Sequence, residues 1–329
     1  MPGKKRSKPS QPPAKLMAAL GRRGPHRVLR GDLGIVGTRG EVFTPASGER
    51  LPAIAFGHGW LASPSRYRDL CKHLASWGIV VAVPADQRGV LVSDDAMAAQ
   101  LRSALAIVTR VRLGFGEITV DPAKVGFAGH GFGASAAVIA AAEGVLHGQP
   151  QPEVRGVAAL FPAPTTAGLL PAARSVRAPG LIVSSIGELD TIDGNALPLA
   201  QAYGADHTPD DEHRAVLRTP PGATSRGLLE HRTIGALWGS NGADKKTHTA
   251  VRALTTGFLL HALTQDAEYQ AFSDPDTVLG KVPAVDLDDP PEVQDRIAKL
   301  LGAKERKRRR AASPVPAAAP NVVVPKTLE

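Results

Sequence analysis

The stretch that most constrains the fold is Val125-Gly126-Phe127-Ala128-Gly129-His130-Gly131-Phe132-Gly133-Ala134-Ser135-Ala136-Ala137. A short apolar run, Val125 to Ala128, meets a glycine-rich corner and continues as small residues through Val138-Ile139-Ala140-Ala141-Ala142. The first part reads as a buried strand and the last as a helix, so the chain turns from one to the other within a few residues. Such a corner belongs to a βα unit of a parallel sheet.

The flanking sequence repeats that grammar. Segments from Arg27 to Gly37 and Thr38 to Pro45 read as two short strands, and Leu51 to Phe56 as a buried strand ending at Gly57-His58-Gly59-Trp60. A helix opened by Ser63-Pro64-Ser65 carries Tyr67, Leu70, Cys71, Leu74 and Trp77 on one face and stops at Gly78. Ile79 to Pro84 is the next strand, and a helix capped by Ser93 is expected from Asp94 to about Arg112. Beyond the corner, strands are expected over Val154 to Phe161, Gly180 to Ser185 and Arg214 to Arg218, then a helix from about His248 to Leu263. The whole is an α/β class chain: a mostly parallel sheet with helices on both faces. Residues 264–302 read as an extension that either packs through Phe272, Leu279 and Val282 or forms a partly ordered arm, with a helix from Pro291 to Leu301.

The 329 residues and 43% apolar content suffice for a sizeable core. The single cysteine, Cys71, excludes an internal disulfide, and no apolar run approaches the ~18 residues of a membrane span. A cytoplasmic protein is expected. Of the net charge of +8, residues 1–30 contribute +9 and residues 304–329 contribute +5, which leaves −6 on residues 31–303. The ends are also rich in Pro, Ala and Ser, so residues 1–26 and 303–329 are expected to be disordered basic tails. The run Lys304-Glu305-Arg306-Lys307-Arg308-Arg309-Arg310 suits either a solubilising tail or an anionic partner, nucleic acid or a membrane surface.

From about Arg27 to Leu263 the chain resembles the α/β-hydrolase superfamily, and within it dienelactone hydrolases, chlorophyllase-like proteins and cutinase-like polyester hydrolases. Three features carry the resemblance: the strand ending in His58-Gly59-Trp60, the frame Gly129-His130-Gly131-Phe132-Gly133, and Gly187-Glu188-Leu189-Asp190-Thr191-Ile192 after the Leu181 strand. The glycine frame matches the nucleophile elbow G-x-S-x-G, with Gly131 where the serine stands. The resemblance implies oxyanion donors at the amides of Trp60, or alternatively Gly59, and of Phe132. It also implies a triad acid at Asp190 and places Ser225 where the family carries its histidine. His58 and His130, within the same two motifs, are further candidates for oxyanion or ligand binding. Serine and histidine of such a triad act as a unit, so losing both removes the reaction. Glycine at the elbow also relaxes a turn that strains any residue with a Cβ.

Other chemistry fits less well. As substitute nucleophiles, Ser63, Ser65 and Ser184 lie near strand ends and Ser135 one helical turn past Gly131, pointing along the helix rather than into the mouth, but each also reads as structural, and Cys71 falls on an apolar helix face. His231 and His248 read as surface or core histidines. The cluster His207, Asp210, Asp211, Glu212, His213 has no metal-site spacing, and the corner lacks the third glycine of a dinucleotide fingerprint, so neither metal nor cofactor is expected. The expected function is a pseudo-hydrolase that binds a small acyl or ester-like ligand or serves as an interaction scaffold. The alternative is an active carboxylic ester hydrolase with an unconventional nucleophile and a histidine such as His130 or His231.

Overall fold

The protein is described by a computed structural model over residues 11–85, 93–144, 148, 153–164, 168–191, 194–207, 215–230 and 244–291. Eight strands form one sheet: β1 (Val28–Asp32), β2 (Gly40–Pro45), β3 (Gly48–Gly57), β4 (Val80–Pro84), β5 (Ile118–His130), β6 (Val154–Leu160), β7 (Gly180–Val183) and β8 (Ala215–Arg218). They lie in the order β1-β2-β4-β3-β5-β6-β7-β8. β2 runs antiparallel to both β1 and β4, while every pairing from β4 through β8 is parallel.

The parallel strands are buried on both sides, which explains why they read as continuous apolar runs. In β3, Ala53 and Ala55 face one core while Ile54 and Phe56 face the other. The first core lies under α3 (Asp94–Arg110), α4 (Phe132–Ala141), α5 (Leu169–Arg174) and α6 (Ala196–Ala202). The second lies under α1 (Pro13–Leu20), α2 (Arg68–Ser76) and α7 (Lys245–Thr264). This is a three-layer, hydrolase-like α/β arrangement.

Several boundaries differ from expectation for identifiable reasons. The disordered tail expected over residues 1–26 fails at α1. Leu16 and Leu20, four residues apart on one face, are buried in the second core, and the Leu20 carbonyl accepts from His73 Nε2 at 2.9 Å. α7 begins at Lys245 rather than His248 because the Asp244 carboxylate accepts from the amides of Lys246 and Thr247. Ser93 stands at the N-cap of α3, but its side chain makes no capping bond there. The Pro291 to Leu301 helix beyond its first residue, the Lys304 to Arg310 run, and Asp210, Asp211, Glu212, His213 and His231 lie outside the described residues.

The extension after α7 packs on the core instead of forming an arm. Phe272 and Leu279 are fully buried and Val282 nearly so. Its chain then crosses the exposed edge of β8: Val285 N–H donates to the Leu217 carbonyl at 2.8 Å, and Ala284 bridges antiparallel to Arg218. An edge strand so covered offers no free ladder to another chain.

Candidate functional site

The corner between β5 and α4 is built by close backbone contact. A Cβ on Gly133 would overlap the carbonyls of Gly57 and His58, one on Gly129 would overlap the Gly133 carbonyl, and one on Gly57 would sit 2.7 Å from the Gly133 oxygen. These three glycines are demanded by packing. Gly131 is different: its nearest neighbour to a built Cβ is Gly59 Cα at 3.9 Å, ordinary van der Waals contact. Its backbone, at φ 57° and ψ −117°, is the left-handed turn that strains a residue with a side chain. The turn is pinned by Gly131 N–H donating to the Leu160 carbonyl at 2.9 Å and by Ala163 N–H donating to the Gly131 carbonyl at 3.3 Å. Space for an elbow side chain exists, and glycine occupies it.

Beside the corner, His130 is buried and its two ring nitrogens meet Tyr67 and Ser225. Nδ1 lies 2.9 Å from Tyr67 Oη and Nε2 lies 3.0 Å from Ser225 Oγ. Tyr67 Oη in turn accepts from the Gly59 amide at 2.9 Å. The hydroxyl of Tyr67 is fully buried and protonated, since burial pushes its pKa up. Its proton needs an acceptor, and His130 Nδ1 is the acceptor within reach. The neutral imidazole therefore carries its proton on Nε2 and donates it to Ser225 Oγ. Burial, the largest influence, lowers the His130 pKa to about 4 against an opposing hydrogen bond to the Ser225 backbone, and the Arg66 charge adds to the lowering. The chain Gly59 N–H to Tyr67 to His130 to Ser225 thus runs toward the serine.

A serine beside an imidazole is the outward form of a nucleophile and its base. Here the polarity is reversed: a base must take the serine's proton, and this imidazole presents N–H to it. At neutral pH His130 is uncharged and, with Nδ1 occupied, has no free lone pair toward Ser225.

The remaining candidates divide. The Gly59 amide is spent on Tyr67, whereas the amides of Trp60 and of Phe132, the first residue of α4, have no hydrogen-bond partner among the described residues. Trp60 is 56% exposed and is followed by Leu61, also exposed and at φ 55°. His58 is buried, its Nδ1 donating to the Gly59 carbonyl at 3.0 Å. Asp190 follows β7 and a 3₁₀ turn over Ile186–Glu188 and is exposed. Both nitrogens of His130 are occupied by Tyr67 and Ser225, not by Asp190. Ser135 Oγ donates to the Ala163 carbonyl, Ser65 Oγ to Ser63 Oγ, and Ser184 Oγ to the Glu188 carbonyl. Burial raises the Cys71 thiol well above its usual range. Among the described residues no group of His, Cys, Asp and Glu could hold a metal ion.

Sequence reasoning missed Tyr67, reading it as one more apolar-face residue of the helix that follows. A signal was present: a tyrosine on a buried face must find a polar partner for its hydroxyl. Among the described residues no helix is long and apolar enough to cross a membrane.

No curated protein matches the chain. Residues 26–90 match the family model of platelet-activating factor acetylhydrolase, isoform II. That stretch holds β1 to β4 with His58-Gly59-Trp60 and stops short of the corner at Gly129 to Gly133. Together with the mostly parallel sheet, the match makes this chain similar to a family of α/β hydrolases in its first third.

Proposed function

We propose that this protein is a pseudo-hydrolase, a hydrolase-like scaffold without a nucleophile that binds a small acyl or ester-like ligand or acts as an interaction scaffold. The observation that carries this reading is Gly131: the turn keeps the elbow's strained backbone and leaves room for a side chain, yet no hydroxyl stands there. Ser225 in the histidine's place supports it. The ligand class rests on the resemblance to dienelactone and polyester hydrolases and on the match to an acetylhydrolase family model, both of which point to carboxylic esters. The Trp60 and Phe132 amides are the donors we assign to the ester carbonyl. Asp190 is kept as the acid position of the silenced triad.

The test is a pair of proteins. The wild type is expected to resist fluorophosphonate labelling and to leave short p-nitrophenyl esters intact. The double variant Gly131→Ser, Ser225→His is expected to gain measurable esterase activity, because both missing groups then stand on the retained frame. Wild-type labelling abolished by a single serine-to-alanine change sinks the proposal.

One observation favours the second reading, an active ester hydrolase: the 3.0 Å contact between Ser225 Oγ and His130 Nε2. The direction of the proton chain opposes it. Labelling of the wild type that Ser225→Ala removes decides for this reading. For the run from Lys304 to Arg310 we retain an anionic partner, tested by salt-dependent binding of DNA or vesicles that is lost on deleting residues 304–329. The lone, buried Cys71 supports a cytoplasmic assignment, tested by fractionation.

A further inference from the structure

A concavity that includes none of Tyr67, His130 and Ser225 in its lining lies beside Ser63, Pro64, Ser65 and Arg68. It is a cleft of about 860 Å³, within the range of small-molecule sites, between the β1–β2 edge and the start of α2. Three arginines line it, Arg30, Arg39 and Arg68, against two acids, Asp32 and Glu41. Its formal charge is therefore +1 (3 − 2), on a body whose residues 30–303 carry a net −5 (8 − 8 − 5).

The arrangement of those charges matters more than their sum. Glu41 receives two forks at once. Arg30 donates from Nε at 3.2 Å and Nη2 at 2.8 Å, and Arg68 donates from Nε at 3.0 Å and from Nη2 to the same oxygen that Arg30 Nη2 uses. Burial pushes the Glu41 carboxyl up, but the bonds and charges of Arg68 and Arg30 outweigh it and hold the group below the usual carboxylate range. One carboxylate thus fixes two guanidiniums side by side, each with its Nη1 hydrogens unused among the described residues. Arg39 is exposed, and its side chain has no partner among the described residues. Asp32 is partly occupied, its Oδ1 accepting from Gly34 N–H at 2.7 Å. On the opposite wall Ser65 Oγ donates to Ser63 Oγ at 2.9 Å, which leaves the Ser63 hydroxyl proton free to turn into the cleft.

We propose that this cleft binds a small phosphate ester, with Arg30 and Arg68 as a preset double fork and Arg39 closing on the phosphate from the rim. Fixing two arginines before the ligand arrives removes much of the ordering cost that weakens surface arginine contacts. A phosphate, with three acceptor oxygens, matches several guanidinium donors better than a carboxylate with two. None of the elbow residues Gly129 to Gly133 lines the cleft, so the proposal does not depend on whether the chain hydrolyses anything.

The full-length protein is titrated calorimetrically with sn-glycerol 3-phosphate, inorganic phosphate and, at equal ionic strength, acetate. Saturable binding of glycerol 3-phosphate, tighter than acetate and about tenfold weaker in Arg39→Ala, is the expected result. Arg39 is exposed and unpartnered, so that variant keeps the fold. Phosphatidylcholine vesicles with added phosphatidic acid separate a lipid headgroup from a free ester. Vesicle binding that soluble glycerol 3-phosphate competes away supports the site with lipid as the source. Vesicle binding that it does not compete away overturns the proposal, as do acetate binding equal to phosphate, no saturable phosphate binding, and affinity unchanged by Arg39→Ala.

Discussion

A buried tyrosine hydroxyl brings one proton inside and has to give it to something. Tyr67 gives it to His130 Nδ1, and that one bond decides which end of the imidazole faces Ser225. Nitrogen NMR is expected to find Nδ1 of His130 unprotonated and Nε2 protonated at neutral pH; the opposite pattern removes the reason for calling Ser225 an acceptor. Tyr67→Phe strands the Gly59 amide and frees Nδ1, so a loss of about 1–3 kcal/mol in stability is expected, read by urea unfolding. The same change should allow the imidazole to reverse its tautomer, visible as an exchange of the two nitrogen signals. The glycine corner was legible in the sequence because its three spaced glycines, Gly129, Gly131 and Gly133, mark the strand-to-helix turn by their own spacing. Tyr67 and Ser225 lie 63 and 95 residues from His130, and contacts at that separation leave no mark in spacing.

At the scale of elements, the sheet's last strand shows how a polar residue can organise what an apolar pattern only suggests. Arg218 ends β8 fully buried, and its two Nη groups donate to four carbonyls: Thr277 at 3.0 Å, Val282 at 3.1 Å, Asp274 at 2.7 Å and Ala271 at 3.4 Å. Burial lowers its pKa to about 10, with the Asp274 charge opposing. All four acceptors belong to the extension, so this one side chain ties the extension to the sheet. Arg218→Met keeps the aliphatic stem and removes the donors. A loss of at least about 2 kcal/mol is expected, with faster hydrogen exchange at the Val285 amide that pairs with Leu217. Unchanged exchange there would mean that Phe272, Leu279 and Val282 hold the extension unaided. The strands and long helices were legible because each carries its own period. The extension was ambiguous because its anchor, an arginine closing a strand, reads as an ordinary surface cation. α1 was missed for a related reason: two leucines inside a basic, proline-rich stretch acquire a meaning only once α7 offers them a surface.

Over the whole molecule, the buried titratable groups make stability depend on pH in a direction that can be stated. Burial, the leading cause in each case, lowers the pKa of His130 and of His73 from 6.5 to about 4, and lowers those of His248 and His261 as well. Between pH 6.5 and 4 the unfolded chain therefore binds protons that the folded one refuses, and stability present above 6.5 is lost as the pH falls through 4. Glu230 works the other way. Its carboxylate accepts the amides of Asp69 and Leu70, yet burial raises its pKa from 4.5 to about 7, so its contribution is full below 4.5 and lost as the pH rises through 7. Four histidines oppose one carboxyl, and the melting temperature is expected to fall on acidification from pH 6.5 to 4. His130→Gln, which cannot titrate but can still donate toward Ser225, should flatten that fall. Glu230→Gln, which keeps an acceptor for both amides, should steepen it between pH 7 and 4.5. Thermal melts at half-unit intervals read both slopes. A His130→Gln profile parallel to the wild type would mean that folding does not shift the pKa of this imidazole, and the argument that burial keeps it from taking up a proton would then be wrong.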